Sequence, residues 1–213
     1  MIVRLLALLL LALPWPLPAL AQPAAGAGVV EGRDYVVIAD GRPWQAQPGK
    51  IELVEVFAYT CGHCADLQPQ LEAWLRRAPA DVAMVFLPAA FDPADPWARA
   101  HFAAQALGVD RKLHGRIFAA VHRDYTLPAR GTSPGELAHW FGQQGVDREA
   151  FLAAMTSADT DAKMAAARDF AIRSGVRGTP VLIVEGRYRV QGRTLADTLR
   201  IAEALIARER AAR

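Results

Sequence analysis

An apolar run over residues 51–58 ends, two residues later, in Cys61-Gly62-His63-Cys64, and a helical pattern starts at once. The run is mostly aliphatic, β-branched or aromatic, has strand length, and follows a Pro48-Gly49 turn signal. Beyond the cysteines, Leu67, Leu71, Trp74 and Leu75 recur at helical spacing on one face. The chain therefore passes from a buried strand straight into a helix, with its only two cysteines at the junction. A disulfide between them would close almost no loop and could stabilise the fold very little through chain entropy. A pair that adds so little stability points to chemistry.

The flanking segments supply the rest of an α/β architecture. Residues 35–38 read as a short strand ended by Asp40-Gly41, and residues 82–87 as another. Strand, helix, strand over residues 51–87 predicts a parallel βαβ unit. Pro69 interrupts the helix but the apolar stripe continues past it, which predicts a kink rather than an end.

From residue 92 to residue 174 the signals are almost all helical. Asp95-Pro96 is an N-cap followed by a first-turn proline, and Gly108 can end that helix. Residues 110–122 form the next. Ser133-Pro134-Gly135-Glu136 is a capping box, Asp147 starts a short helix, and residues 160–174 form a longer one before Gly175. The chain then returns to strands: 181–184, a Glu185-Gly186 turn and 188–191 read as a hairpin, and 194–212 as a last helix. The expected organisation is a mixed central sheet flanked by helices over 34–91 and 175–213, with a large all-helical domain inserted at 92–174.

The first 21 residues address the compartment. Arg4 gives a positive start, residues 5–13 are unbroken apolar sequence, and Ala19-Leu20-Ala21 ends in a small-x-small pattern. This predicts a secretory signal peptide cleaved after Ala21. A membrane anchor is the weaker reading, because the apolar run is shorter than the roughly 20 residues that span a bilayer. Residues 22–33, rich in Ala, Gly and Pro, are expected to form a flexible mature N-terminus. A formal charge of +2, with the basic residues scattered, argues against a nucleic-acid surface. Export places the cysteines where disulfides persist.

Two sulfurs at this junction should have different jobs. Only the thiolate attacks a disulfide. Cys61 sits where unpaired backbone N–H groups and the helix dipole favour negative charge, and His63 can add a hydrogen bond or a positive charge. Cys61 is thus the expected attacking thiol, and Cys64, one turn into the helix, the resolving one. Lowering the pKa of Cys61 favours the reduced form and makes the pair an oxidant, whereas Gly62 leaves the turn flexible and tempers this. A structural disulfide is disfavoured by the short loop. Zinc is disfavoured because His101, His114, His122 and His139 show no paired ligand spacing, and covalent haem because Ala65, not histidine, follows Cys64.

Two further features stand out. Glu55 is an acid in the middle of the apolar strand, six residues before Cys61. Buried, it must protonate or find a partner, and it could accept or relay the proton of Cys64; at a strand edge it would merely face solvent. Gly178-Thr179-Pro180 precedes the hairpin. A cis bond there would leave the Thr179 backbone groups free to pair with a substrate peptide, although the residues by themselves favour trans.

Taken together, these residues resemble the thioredoxin superfamily and, within it, the DsbA-like thiol:disulfide oxidoreductases. The resemblance rests on the exported N-terminus, Glu55 through Cys64, Pro69, the inserted helices, and Gly178-Thr179-Pro180 through Tyr188. It implies a thioredoxin fold with a helical insertion and a cis Pro180 against the active-site disulfide. The signal peptide places the protein in the periplasm, and residues 22–33 are too short for the extra dimerisation domain of dimeric bacterial isomerases, so a monomer is expected. The resemblance implies an enzyme that oxidises cysteine pairs of newly exported proteins and is reoxidised by a DsbB-type quinone-linked membrane partner. No cofactor is implied beyond the Cys61–Cys64 disulfide, and no metal. Carried onto this chain, Cys61 is the nucleophile, Cys64 the resolving thiol, His63 the thiolate stabiliser and Glu55 the buried acid. Gly62, Thr179 and Pro180 form the substrate-facing surface. Many members carry Cys-Pro-His-Cys, so Gly62 keeps a milder isomerase or reductase as the alternative. A peptide-binding chaperone with incidental redox activity is the alternative of another class.

Overall fold

The computed structural model describes residues 28–213; the expected signal peptide and the start of the 22–33 segment lie outside them. Two strands, β1 (Tyr35–Val37) and β2 (Ile51–Phe57), lead into α1 (Gly62–Leu75) and β3 (Val82–Pro88). Five helices follow: α2 (Pro96–Ala106), α3 (Asp110–His122), α4 (Pro134–Gln143), α5 (Arg148–Met155) and α6 (Ala158–Arg173). The hairpin β4 (Val181–Val184) and β5 (Tyr188–Val190) and the helix α7 (Leu195–Ala211) complete the chain.

One five-stranded mixed sheet runs in the order β1-β5-β4-β2-β3. β2 and β3 pair in parallel along their length, Ile51 opposite Val82 and Phe57 opposite Pro88. β2 also pairs with β4 in antiparallel register, and β4 with β5. Every residue of β2 is buried, because the strand is interior to the sheet and both its faces are covered. On one face Leu53, Phe57 and Leu182 pack with Leu67 and Leu71 of α1 and Ile201 and Leu205 of α7. On the other, Val54, Val56, Val85 and Ile183 pack with Phe102 of α2 and Met164, Ala167, Phe170 and Ala171 of α6.

That second face bears on the expected domain division. α6 falls inside the 92–174 segment, yet it covers the sheet. A boundary after residue 174 would cut between this helix and the sheet it buries, so the helical segment is not self-contained at its C-terminal end. The expectation of a loose stretch up to residue 33 also needs correcting for its described part. Asp34 accepts from the Val30 N–H, Gly32 N–H donates to the Tyr35 carbonyl, and Glu31 bridges to Tyr35.

Local chemistry accounts for most helix ends. Asp95, Asp147, Ser157 and Thr194 cap α2, α5, α6 and α7 through their side chains, and Ser133 with Glu136 forms the capping box of α4. α6 starts two residues earlier than its expected N-terminus because Ser157, not a later residue, is its cap. α1 runs through Pro69 without ending. Gly186 turns the hairpin at φ +60°, where a Cβ would overlap the Arg42 carbonyl.

Candidate active site

The loop between β2 and α1 carries the cysteines to the end of the sheet where β2, β3 and the α6–β4 connection meet. Cys61 is the N-cap residue of α1, with extended backbone (φ −88°, ψ 116°), and its N–H donates to the Ala58 carbonyl at 3.1 Å. Being off the helix, its side chain is only half-buried. Cys64 shares the buried face of α1 with Leu67 and Leu71 and is fully enclosed. Both are free thiols in the structure. Burial, above all, pushes the Cys64 thiol far above its ordinary range, and a negative charge on Glu55 adds to this.

Pro180 lies across from the pair. The Thr179–Pro180 bond is cis, as the resemblance implied and contrary to the trans form that the residues alone favoured. The Cys61 thiol donates to the Thr179 carbonyl oxygen at 3.2 Å. That carbonyl, expected to be free for a substrate peptide, is therefore engaged by Cys61 in the dithiol form.

Glu55 sits in the middle of β2, flanked by Leu182 of β4 and Phe86 of β3. Alternation along the strand turns it to the same side as Leu53 and Phe57, toward α1. It is fully buried, and neither carboxylate oxygen has a hydrogen-bond partner among the described residues. Burial pushes its pKa up to about 8, so the group is mainly protonated at neutral pH. The solvent-facing alternative is thereby removed.

His63 is placed differently from expectation. Its side chain is 83% exposed, and its Nδ1 lies 3.9 Å from Asp66 Oδ2. It makes no hydrogen bond to either sulfur, because the second residue of the helix projects to solvent, away from the face that carries Cys64. At Gly62 an added Cβ would meet nothing within 4 Å, so no steric demand requires glycine there.

One feature beside the cysteines has no counterpart in the sequence reading. Tyr59, two residues before Cys61, is 1% exposed. Its hydroxyl lies 2.9 Å from His114 Nδ1 and 3.3 Å from His101 Nδ1, and its carbonyl accepts from His122 Nε2 at 2.7 Å. Burial drives His101 down to about 4 and His114 well below its ordinary value, so both imidazoles are neutral. A hydroxyl has one proton, so it donates to one Nδ1 and accepts from the other; the two rings must be different tautomers. The phenol and its carbonyl thus tie the loop before Cys61 to α2 and α3. The spacing of these histidines gives no sign of this contact, and among the described residues no group of three or more His, Cys, Asp or Glu is placed to hold a metal.

A dithiol at a helix start, one sulfur accessible and one enclosed, facing a cis proline beside a mixed sheet, defines a thiol:disulfide oxidoreductase of thioredoxin fold. Comparison with known proteins agrees. Residues 94–202 match the model of the DSBA-like thioredoxin domain. The thiol:disulfide interchange protein DsbA of Azotobacter vinelandii is 36% identical over 198 residues, covering 90% of each chain. That of Pseudomonas aeruginosa is 35% identical over 185 residues, 85% of this chain and 86% of the other. A crystal structure of oxidoreductase DsbA from Xylella fastidiosa superposes with a TM-score of 0.83 at 42% identity, covering 86% of this chain and 98% of that one. The chain belongs to the DsbA family of thiol:disulfide interchange proteins.

Proposed function

We propose that the protein oxidises cysteine pairs of newly exported proteins by giving up a Cys61–Cys64 disulfide. The observation that carries this reading is the unequal burial of the two sulfurs beside the Thr179 carbonyl. In the disulfide form, a substrate thiolate attacks Cys61, the reachable sulfur. A substrate–Cys61 bond forms, the Cys61–Cys64 bond breaks, and Cys64 leaves as a thiolate. A second substrate thiolate then attacks the substrate sulfur of the mixed disulfide and releases Cys61. The substrate loses two electrons and the protein gains them.

Glu55 enters at the leaving step. A thiolate at enclosed Cys64 is costly and must take up a proton quickly. Glu55 holds its proton at neutral pH, and once ionised its charge bears on Cys64, so it is the fitting proton donor. In the reverse reaction it accepts the same proton. Without a bond to sulfur, His63 contributes through its place at the helix start, two residues from Cys61. Thr179 and Pro180, with Gly62, form the surface against which the substrate lies.

The reaction needs no bound cofactor beyond the cysteine pair. The expected signal peptide would deliver the protein to the periplasm, where a DsbB-type quinone-linked membrane oxidase would restore the disulfide. We assign a monomer.

Gly62 supports a second reading, a milder isomerase or reductase, because glycine leaves the junction flexible. Refolding a reduced protein with several disulfides, and separately a scrambled one, separates these readings. The oxidase reading expects fast disulfide formation with the reduced substrate, lost in Cys61→Ser. Faster rescue of the scrambled substrate would favour isomerase. Full activity in both Cys61→Ser and Cys64→Ala would leave a chaperone.

A further inference from the structure

The loop that delivers Cys61 is a single β-turn. The Cys61 N–H donates to the Ala58 carbonyl at 3.1 Å and closes it, with Tyr59 and Thr60 as the central residues. The peptide between the two central residues is the least restrained part of such a turn. Rotating it exchanges its C=O and its N–H and converts one turn type into another. The neighbouring sequence does not stiffen it here. Gly62, just after Cys61, adds backbone freedom, and a Cβ at that position would meet nothing within 4 Å.

The restraint comes from the helical segment. His122, the last residue of α3, places Nε2 2.7 Å from the Tyr59 carbonyl oxygen, which is the oxygen of that central peptide. A carbonyl only accepts, so His122 Nε2 carries the proton. The Tyr59 side chain is anchored separately. Its phenol meets His114 and His101, and its ring packs edge-on against Phe57 with centroids 4.8 Å apart. Held at the side chain and at the carbonyl from two helices, the Tyr59–Thr60 peptide keeps one orientation.

That orientation bears on the sulfur. His122 holds the carbonyl, the negative end of the peptide dipole, toward α3. The Cys61 thiol is turned elsewhere: it meets the Thr179 carbonyl, and Thr179 and His122 line different clefts. A peptide carries a dipole of about 3.5 D. A disulfide has no charge and is nearly indifferent to that dipole, whereas a thiolate at Cys61 is not. A contact that keeps the carbonyl away from the sulfur therefore favours the dithiol form, and a favoured dithiol form makes a stronger oxidant. We propose that His122 is a positioning residue that sets the oxidising strength of the Cys61–Cys64 pair by holding the Tyr59–Thr60 peptide. It supplies from α3 the order that Gly62 does not supply within the loop. The inference rests on the oxidase reading and adds the residue that tunes it.

The test is the equilibrium of the protein with reduced and oxidised glutathione, read as the fraction of Cys61–Cys64 disulfide. In His122→Leu we expect that equilibrium to move about three- to tenfold toward the disulfide, the net worth of one hydrogen bond. His122→Gln keeps an N–H donor at similar reach and should return it to within about twofold of the wild type. His122 is only partly buried, so these variants should fold. His122→Ser, too short to reach the carbonyl, carries the same expectation as His122→Leu. An equilibrium that stays in place in His122→Leu and His122→Ser, or moves toward the dithiol, would overturn the proposal. Equal shifts in His122→Leu and His122→Gln would also overturn it, because the effect would then belong to the imidazole and not to the bond. A merely structural contact would lower the unfolding midpoint and leave this equilibrium alone. Glutathione needs no protein substrate, so the two readings fail separately. If the wild type does not oxidise a reduced protein, the oxidase reading falls, and the glutathione series still decides the role of His122.

Discussion

Replacing Glu55 by Gln should make the protein more stable at neutral and alkaline pH, by an amount that grows with pH. The carboxyl is fully buried without a partner among the described residues, and its pKa moves from 4.5 to about 8 on folding. The sign follows from linkage: a raised value means the folded state holds the proton more tightly than the unfolded state. Stability from this group is complete below 4.5 and is lost as pH rises toward about 8. Each unit corresponds to about 1.4 kcal/mol, so the loss is about 3 kcal/mol at about pH 7 and about 5 kcal/mol once the folded group ionises. Glutamine has nearly the same shape and cannot ionise. Its unpaired amide costs about 1–3 kcal/mol at every pH, much as the protonated acid does. Urea unfolding of the oxidised wild type and Glu55→Gln between about pH 5 and about pH 9 should give curves that nearly meet at the acid end. They should separate steadily, the variant above, and run parallel beyond about pH 8. A separation that stays constant across this range would show that Glu55 is not a buried, proton-holding acid. It would also remove the proton donor assigned to Cys64.

Cys64→Ala should accumulate mixed disulfides with exported proteins through Cys61, because no resolving thiol remains; mass spectrometry of the trapped adducts locates the linked sulfur. Tyr59→Phe removes the hydroxyl between two buried imidazoles and should lower stability by about 1–3 kcal/mol, read by denaturant unfolding. Gly186→Ala forces a Cβ against the Arg42 carbonyl at φ +60° and should destabilise by more than about 1 kcal/mol, read as a lower thermal midpoint.

What the sequence made legible was local. The β2 run, the capping box at Ser133 and the caps at Asp95 and Asp147 announce themselves within a few residues, and the structure has each of them. The cysteine pair and Glu55 could be read because their positions, junction and mid-strand, conflict with a purely structural role. What stayed hidden depends on contacts between distant segments. Tyr59 meets His101 and His114 across 42 and 55 residues, with no spacing rule to connect them. α6 reads as one more helix of the insertion, and only packing reveals that Phe170 and Ala171 cover Val54 and Val56. His63, expected to offer Cys61 a hydrogen bond or a positive charge, lies on the exposed face of α1 without a bond to sulfur. The cis state of Pro180 followed from the family pattern, not from the residues themselves.

The central claim is that the protein transfers its own disulfide. Oxidised protein can be mixed one-to-one with a reduced, unfolded two-cysteine polypeptide, and the free thiols on each partner counted by mass after alkylation. The polypeptide should lose two thiols while Cys61 and Cys64 gain two, through an adduct at Cys61. A polypeptide that stays reduced while Cys61 and Cys64 remain joined would contradict it.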